Sequence, residues 1–288
     1  MTQSELSSWI VDEAIRLGFS ACGLASLQPF EQEATVFDSW LAKGYHADMA
    51  YMANHKDKRL LYSELLEGAV SAVVVILNYK QPALLPSSSP QIAQYAYGMD
   101  YHFLLKNKLQ LLLAKIKEKY SYAEGRAFVD SAPVWEKALA RRAGLGWIGK
   151  NSLLINPRFG STTYIGSLLL NITLDYNTKV IEDRCGKCSR CIASCPTSAI
   201  LADSRQIDAN LCISYLNKNS NIEISSDIRQ LIGNRLWGCD ECIKACPFNQ
   251  NTPYHTTAEL NPLPELFQRD LSSMSRSQLR KIIMRRPK

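Results

Sequence analysis

Eight of the nine cysteines in this 288-residue chain lie within one short segment, and only Cys22 stands apart from it. The first four of the eight are separated by two, two and three residues, and a proline follows the fourth. The last three repeat the two-and-three spacing and are again followed by a proline. The clustered positions are Cys185, Cys188, Cys191, Cys195, Cys212, Cys239, Cys242 and Cys246. Structural disulfides are rare in reducing compartments, so this many neighbouring thiols indicate a metal site.

The first run has the spacing of bacterial two-cluster ferredoxins, in which three cysteines bind one [4Fe–4S] cluster and the cysteine before proline binds the other. Applied here, this rule divides the eight thiols into two sets of four. Cluster A takes Cys185, Cys188, Cys191 and Cys246. Cluster B takes Cys195, Cys239 and Cys242, with Cys212 completing the set. Zinc sites or scattered free thiols are the alternatives, but zinc knuckles lack the cysteine–proline pattern, and all four histidines lie outside the segment.

The remaining composition is that of a soluble globular protein, with 46% hydrophobic and 21% charged residues. An apolar run near Val73–Leu77 is far too short to cross a membrane. The amino terminus has no basic head, apolar core or twin arginine of an export signal. We therefore expect a cytoplasmic protein without a membrane partner, and a monomer.

The net charge of +6 is concentrated at the carboxyl end, where residues 265–288 carry seven basic and two acidic side chains. Such a segment suits a polyanionic partner, of which nucleic acid is the obvious example. A solvated basic helix explains the pattern equally well.

Before the cysteines, helical and strand patterns alternate, which predicts an α/β or α+β domain. Residues 4–17 form a predicted helix that Ser4 can cap and Gly18 can end. Further helices are predicted at 103–120 and 134–143, and strands at 70–77, 127–130, 153–156 and 162–174. The predicted domains are residues 1–177, the cysteine segment 178–252 and a basic tail 253–288.

Two clusters move single electrons, so the preceding 177 residues must hold a site that uses them. The chain has neither the Rossmann glycine fingerprint nor a Walker P-loop. The spacing of residues alone therefore indicates an oxidoreductase without naming its substrate.

Several longer motifs, taken together, resemble the epoxyqueuosine reductase family. They are the stretches 97–102 (YGMDYH), 130–133 (DSAP), 142–152 (RAGLGWIGKNS) and 232–240 (IGNRLWGCD), together with the cysteine pattern. Members of this family use cobalamin and two [4Fe–4S] clusters in the last step of queuosine synthesis in tRNA. The resemblance is to a short form without the helical repeats that many members carry at the carboxyl end.

The resemblance implies an α+β protein. Its amino-terminal domain would be a mixed α/β cobalamin-binding domain of the reductive dehalogenase type, followed by a ferredoxin-like domain with two clusters. The implied reaction removes the epoxide oxygen of epoxyqueuosine at the wobble position of a tRNA anticodon, with electrons passing from the clusters to cobalamin. The implied partners are tRNA with a queuosine-type anticodon and an external low-potential electron donor. The alternatives are a corrinoid reductive dehalogenase and a plain two-cluster electron-transfer protein.

The same resemblance assigns the site residues. Asp130 is the implied proton donor and a cobalamin contact, although the bare sequence also allows it to cap a helix at Pro133. The other implied cobalamin contacts are Arg59, Leu154, Ile165, Ser214 and Asp240. Surface or core roles are the alternatives for the first three, and contact with the cluster loops alone is the alternative for the last two. The run Asp100–His102 begins like a known cobalt-binding motif but is not followed by its glycine, so we interpret His102 as a capping or core residue, with a cofactor contact as the alternative.

Overall fold

The computed structural model describes residues 2–176, 179–202, 204–218 and 223–285. The predicted boundary at residues 177 and 178 and the last three residues of the basic tail lie outside this range. The helices are α1 (Gln3–Arg16), α2 (Glu31–Ala42), α3 (Ala50–Asn54), α4 (Lys56–Leu60), α5 (Tyr101–Lys119), α6 (Glu136–Arg142), α7 (Arg190–Ala193), α8 (Ile213–Leu216), α9 (Ser226–Ile232), α10 (Glu241–Lys244), α11 (Pro264–Gln268) and α12 (Arg276–Ile283). The strands are β1 (Ala21–Ser26), β2 (Ser71–Asn78), β3 (Gln91–Ile92), β4 (Gly125–Phe128), β5 (Trp147–Ile148), β6 (Leu154–Ile155), β7 (Thr163–Leu170) and β8 (Arg235–Trp237).

A four-stranded antiparallel sheet in the order β1–β2–β7–β4 organises the amino-terminal half. All eight residues of β2 are buried, which agrees with the strand predicted from its continuous apolar run. In the register of the sheet, Val75 lies opposite Cys22 on one side and Gly166 on the other.

Helices cover both faces of this sheet, and alternate residues of β2 supply the two cores. Val73, Val75 and Leu77 pack with the buried side chains of α1 and α5. Val74 and Ile76 pack on the second face against α6. Among the described residues, no helix has the length and apolar character needed to cross a membrane.

Local chemistry shifts several predicted boundaries. The first helix is capped by Thr2, not by Ser4, because Thr2 and Glu5 satisfy each other's backbone N–H groups in a capping box. Gly18 follows its end with φ +88°, as expected for a residue that terminates a helix.

The stretch between β4 and α6 also differs from its prediction. The strand ends at Phe128, opposite Ser167, rather than continuing to Asp130. Asp130 has φ +52°, a left-handed conformation that breaks the extended backbone. An irregular turn follows, so α6 begins at Glu136 rather than at Val134.

The cysteine segment forms short helices and loops that are tied to the sheet by side chains. Lys80 donates from Nζ to the carbonyls of Asn249 (2.9 Å) and Thr252 (2.9 Å). The side chain of Asn249 accepts the backbone N–H of Ser161 at 2.7 Å and donates to the carbonyl of Ile243 at 2.7 Å. These bonds set the position of the cluster loops relative to the sheet.

The carboxyl-terminal basic segment is packed onto the molecule rather than extended from it. Leu279, Ile282 and Ile283 of α12 are buried in a small core with Tyr97. The carbonyl of Arg285 accepts the backbone N–H of Asp100 at 2.9 Å, next to the YGMDYH motif.

A close approach at Gly23 provides a test of this packing. A Cβ atom at Gly23 would lie 2.1 Å from the carbonyl oxygen of Ala143, at the end of α6. We expect Gly23→Ala to lower the thermal unfolding midpoint by more than about 5 °C. Gly44→Ala is the matched control, because Gly44 has open space around it and a substitution there costs only about 1 kcal/mol of backbone strain. Equal midpoints for the two variants would contradict this account of the β1–α6 contact.

Candidate functional site

The structure brings the eight clustered thiols together in two groups of four. Burial raises the pKa of Cys191 and of Cys246, and both thiols also interact electrostatically with Cys185 and Cys188. Burial likewise raises the pKa of Cys242, which interacts with the other three thiols of its group. Those three are Cys195, Cys212 and Cys239. The groups are the same two sets that the ferredoxin spacing predicts for clusters A and B.

The arrangement of these thiols fits four-iron clusters. The first group lines one cavity together with Ile155, Pro247 and Phe248. None of the nine cysteines, all of which lie within the described residues, forms a disulfide. Within the part of the chain that the structure describes, no three Cys, His, Asp or Glu side chains converge as ligands of a single ion. One zinc ion would hold its sulfur ligands at about 2.3 Å, whereas a cubane of four irons keeps its thiolates further apart.

Residues of the RAGLGWIGKNS motif support the loop of cluster A. Lys150 donates from Nζ to the carbonyls of Gly186 (2.8 Å) and Cys188 (2.9 Å). The indole N–H of Trp147 lies 3.4 Å from Sγ of Cys185 and points to it as a hydrogen-bond donor. Hydrogen bonds to cluster sulfurs are among the groups that set a cluster's reduction potential.

Asp240 ties the loop of cluster B to the amino-terminal half of the chain, whereas Ser214 makes its contact within the loop. The buried carboxylate of Asp240 accepts the backbone N–H of Gln94 at 2.7 Å. Burial raises the pKa of Asp240 to about 6, although this hydrogen bond acts in the opposite direction. Ser214 donates its backbone N–H to Cys212, so its described contact is with the cluster loop.

Asp130 is exposed at the surface and is held from two sides. Its Oδ2 accepts the hydroxyl of Tyr101 at 2.6 Å, and its backbone N–H donates to Glu136 Oε1 at 2.9 Å. Its side chain is 65% exposed. Since α6 begins at Glu136 without a side-chain cap, Asp130 does not cap a helix at Pro133.

His102 lies in the same site, which the sequence interpretation missed. Asp100 is the residue that caps α5, and its Oδ1 lies 2.6 Å from Nδ1 of His102. Nε2 of His102 is 3.8 Å from Oδ2 of Asp130. Burial lowers the pKa of His102, but the hydrogen bond and charge of Asp100 outweigh it and raise the pKa above its ordinary value. The imidazole is thus placed between two carboxylates.

A stack of tyrosines leads from Asp130 towards cluster B. The ring of Tyr101 is parallel to that of Tyr164 at 4.2 Å, and Tyr164 contacts Tyr79 at 4.6 Å. Tyr79 in turn interacts electrostatically with Asp240 and Cys242. Tyr101 could have been found from the sequence, since it immediately precedes His102 in a motif that we had already selected.

Glu136 is a second group that sequence reasoning missed. It lies beside Asp130, and burial together with the charge of Asp130 raises its pKa to about 8. Arg59 and the N–H of Asp130 act in the opposite direction. No sequence motif pointed to Glu136, because its role depends on the irregular turn before α6.

Arg59 is buried but forms no ion pair with any residue that the structure describes. Its guanidinium lies 5.6 Å from the ring of Phe37 and 5.9 Å from that of Trp135. Nε of Arg59 and Nε1 of Trp135 are buried donors with no acceptor. Buried donors are normally satisfied, so this pair fits a ligand that carries hydrogen-bond acceptors.

Leu154 and Ile165 both belong to the second face of the sheet. Leu154 is buried in the core beneath α6, whereas Ile165 is only partly buried against it. On the same face of β7, the hydroxyls of Thr163 and Ser167 have no hydrogen-bond partner among the described residues. Ile165 is therefore the better placed of the two predicted contacts to meet a ligand.

Comparison with known proteins agrees with these observations. Residues 59–131 match the family model described as "Epoxyqueuosine reductase QueG, DUF1730", and residues 184–249 match a 4Fe-4S double cluster binding domain. An epoxyqueuosine reductase of Leadbetterella byssophila is 43% identical over 90% of this chain and 83% of its own length. The chain belongs to the epoxyqueuosine reductase family.

Solved structures of epoxyqueuosine reductases share the fold. One, in complex with an epoxyqueuosine-modified stem loop of tyrosine tRNA, has a TM-score of 0.86 and 28% identity, covering 97% of this chain and 76% of its own. A Bacillus subtilis epoxyqueuosine reductase, whose aspartate catalytic loop is swung out of the active site, has a TM-score of 0.84 and 27% identity, covering 98% and 76%.

The predicted likeness to reductive dehalogenases is confirmed for the fold alone. The catabolic reductive dehalogenase NpRdhA has a TM-score of 0.56 at 14% identity, and the match covers 87% of this chain and 32% of that one.

The assignment of Cys212 can be tested directly. We expect Cys212→Ala to reduce the iron content from about eight to about four atoms per chain, because cluster B loses one ligand and cluster A keeps all of its own. Cys22→Ala is the matched control, since Cys22 lies on β1 away from both groups. Iron analysis and electron paramagnetic resonance of the reduced protein provide the measurement. A full iron content with an unaltered spectrum would show that Cys212 is not a ligand.

Proposed function

We propose that this epoxyqueuosine reductase reduces the epoxide of epoxyqueuosine in tRNA to the alkene of queuosine, with Asp130 as proton donor. The reaction consumes two electrons and two protons and releases water. The observation that carries the assignment of residues is the geometry at Asp130. Its carboxylate is held by Tyr101 at the end of the tyrosine stack that leads to cluster B.

The residues around Arg59 and Ile165 fit cobalamin as the second cofactor. Arg59 and Trp135 would donate to acceptors on the side arms of the corrin, since their buried N–H groups have no acceptor among the described residues. Ile165 would pack against its apolar surface, and Leu154 would support that face from the core. Asp240 and Ser214 would line the side next to cluster B. When bound, cobalamin supplies a strongly reducing cobalt centre to the epoxide, and the clusters supply single electrons.

Asp130 would deliver the proton that the departing oxygen requires. A carboxylic acid is a useful general acid only if its pKa lies near the working pH, which burial can achieve. The protein by itself leaves the side chain of Asp130 65% exposed. Bound cofactor and substrate would cover the side chain and remove that exposure. Tyr101 would keep Oδ2 in place by donating to it.

His102 would return a proton to Asp130 after each turnover. Asp100 orients the imidazole and favours its charged form, in which Nε2 carries a proton on the side of Asp130. The 3.8 Å separation between Nε2 and Oδ2 would shorten once Asp130 has lost its proton and gained charge.

The substrate is a tRNA, and the basic residues available to its phosphates are restricted by internal contacts. Arg235 pairs with Glu241 at 3.2 Å and also donates to a neighbouring carbonyl of α9. Arg285 pairs with Glu265. Arg229 and Lys218 form no ion pair within the described residues and are therefore our candidates for contacts with the anticodon loop.

A tRNA substrate is consistent with a reaction in the cytoplasm, where we expect a monomer that takes electrons from an external low-potential donor.

The activity can be tested by anaerobic reconstitution with iron and sulfide, with and without cobalamin. We expect epoxyqueuosine-containing tRNA to yield queuosine under a strong chemical reductant only when cobalamin is present. Mass spectrometry of the nucleosides gives the yield. Queuosine formation at the same rate without cobalamin would contradict the proposed cofactor. Binding of clusters without cobalamin or queuosine formation would instead indicate a plain electron-transfer protein.

Asp130→Asn tests the proton donor. The amide keeps the shape of the side chain but cannot deliver a proton, so we expect turnover to fall by about 10²–10⁴-fold with normal cobalamin and iron content. Asp38→Asn is the control, because Asp38 is an exposed aspartate whose partner is Lys56. Turnover within a few-fold of wild type for Asp130→Asn would remove this residue from the acid role.

The dependence of turnover on pH tests His102. Because its pKa is raised, the protonated form persists above the ordinary titration range and is lost as the pH rises through the raised value. We therefore expect turnover to decline along an alkaline limb, and His102→Gln to lower turnover and abolish that limb. A His102→Gln variant that keeps the same alkaline limb would show that another group titrates.

A further inference from the structure

The loop that carries the first three ligands of cluster A is exposed and positively charged. Within residues 184–190 there are three basic side chains and no acidic one. Arg184, Lys187 and Arg190 are all exposed, and the ammonium group of Lys150 lies against the same loop. We call these four residues the cationic rim.

The charge of the rim is not neutralised by its neighbours. Within the described ranges, Arg184, Lys187 and Arg190 form no ion pair. The nearest acidic residue in sequence, Asp183, already pairs with Arg205. A surface with several unpaired charges of one sign attracts a partner of the opposite sign over a distance of about 10 Å at moderate salt.

The rim lies beside the thiols of cluster A, whereas cluster B lies on the side of Asp240 and the tyrosine stack. Cys185 and Cys188 are partly exposed within the rim. The thiols of cluster B are partly exposed as well, but Cys242 of that group interacts with the buried Asp240 and with Tyr79 at the end of the tyrosine stack. A carrier that docks at the rim would therefore meet the thiols of cluster A first, and electrons passing towards Asp130 would leave from cluster B.

We propose that the cationic rim is the docking surface of an acidic one-electron carrier protein that reduces cluster A. This inference rests on the proposed function, which requires two electrons for each epoxide. Each encounter oxidises the prosthetic group of the carrier by one electron and reduces cluster A by one electron. Two encounters supply both electrons, and the protons are delivered at Asp130 as in the proposed function. The flavodoxin and ferredoxin classes both supply acidic carriers, and the rim recognises the acidic surface that they share.

Phosphates of RNA would also complement the charge of the rim. The partly exposed thiols favour an electron carrier, because transfer to cluster A requires close approach of a redox group, whereas tRNA binding does not. The rim surrounds the part of the surface where these thiols are nearest to solvent. Contact of the rim with tRNA alone is thus an outcome that would overturn the proposal.

The test measures cluster reduction itself, in protein that contains both clusters and no tRNA. Stopped-flow absorbance follows the bleaching of the clusters after mixing with a reduced acidic flavodoxin or, separately, a reduced acidic ferredoxin. For Lys187→Glu combined with Arg190→Glu, we expect the second-order rate constant to fall by about tenfold or more at low ionic strength. The difference from wild type should shrink strongly at about 0.5 M salt, because screening removes the attraction.

Lys106→Glu combined with Lys119→Glu is the matched control. Both lysines belong to α5 on the far face of the sheet, and the pair changes the net charge by the same amount. We expect this variant to be reduced at nearly the wild-type rate. Iron content must be equal in all variants. Reduced methyl viologen is a small reductant that needs no docking surface, so it should reduce the clusters of each variant at the wild-type rate or faster. An unchanged rate for the rim variant with both carriers, or an equal loss in the control, would overturn the proposal.

Cross-linking gives a second measurement that does not depend on rates. A zero-length carbodiimide should join Lys187 to a carboxylate of the flavodoxin or ferredoxin, and mass spectrometry would identify the linked peptides. Docking at the rim would be contradicted by cross-links confined to α5. It would also be contradicted by a rim variant that loses affinity for tRNA but keeps the wild-type rate of cluster reduction with both carriers. Neither assay involves epoxyqueuosine. Failure of the proposed function would be seen as normal cluster reduction without formation of queuosine. It can therefore be distinguished from failure of this inference, which would be seen in the rate of cluster reduction.

Discussion

The side-chain amide of Asn249 joins the two halves of the molecule, and the geometry of the site depends on it. Its oxygen accepts the backbone N–H of Ser161, just before β7. Its nitrogen donates to the carbonyl of Ile243 in α10, between two of the ligand cysteines. A buried amide is costly unless its polar atoms are paired, so these bonds allow little displacement. Gly160 permits the approach, because a Cβ there would lie 2.0 Å from the amide oxygen. The cluster loops and the strand that bears Ile165 are thereby held in one arrangement.

The two groups of thiols, the tyrosine stack and Asp130 follow one another across the molecule. The thiols of the first group lie at an exposed basic loop, Cys242 of the second group interacts with Tyr79, and the tyrosine stack ends at the exposed carboxylate of Asp130. In the proposed function, electrons would enter at the basic loop and the proton would come from Asp130, so the two would be supplied from different parts of the molecule.

Much of this could be predicted from the sequence. Strand β2 was predictable because a continuous apolar run must be covered on both faces, and the division of the thiols followed from their spacing. The resemblance pointed to Asp130. What the sequence could not supply was the conformation around Asp130, since a left-handed backbone at an aspartate leaves no periodic signal. That single turn moves the start of α6, releases Asp130 from a capping role and brings Glu136 beneath it. His102 was undervalued because its importance lies in a contact with a residue 28 positions away.

Each cluster would take ligands from both ends of the cysteine segment, and this has a consequence for how the protein is made. On the proposed assignment, cluster A would draw three ligands from the start of the segment and its fourth from Cys246, while cluster B would need Cys195 from the start and two ligands from the end. Neither ligand set would then be complete until nearly the whole segment has left the ribosome. A chain that stops before Cys246 would lack the fourth ligand of cluster A. The presence of both clusters would thus report that synthesis has passed this point and that the two ends of the segment have met.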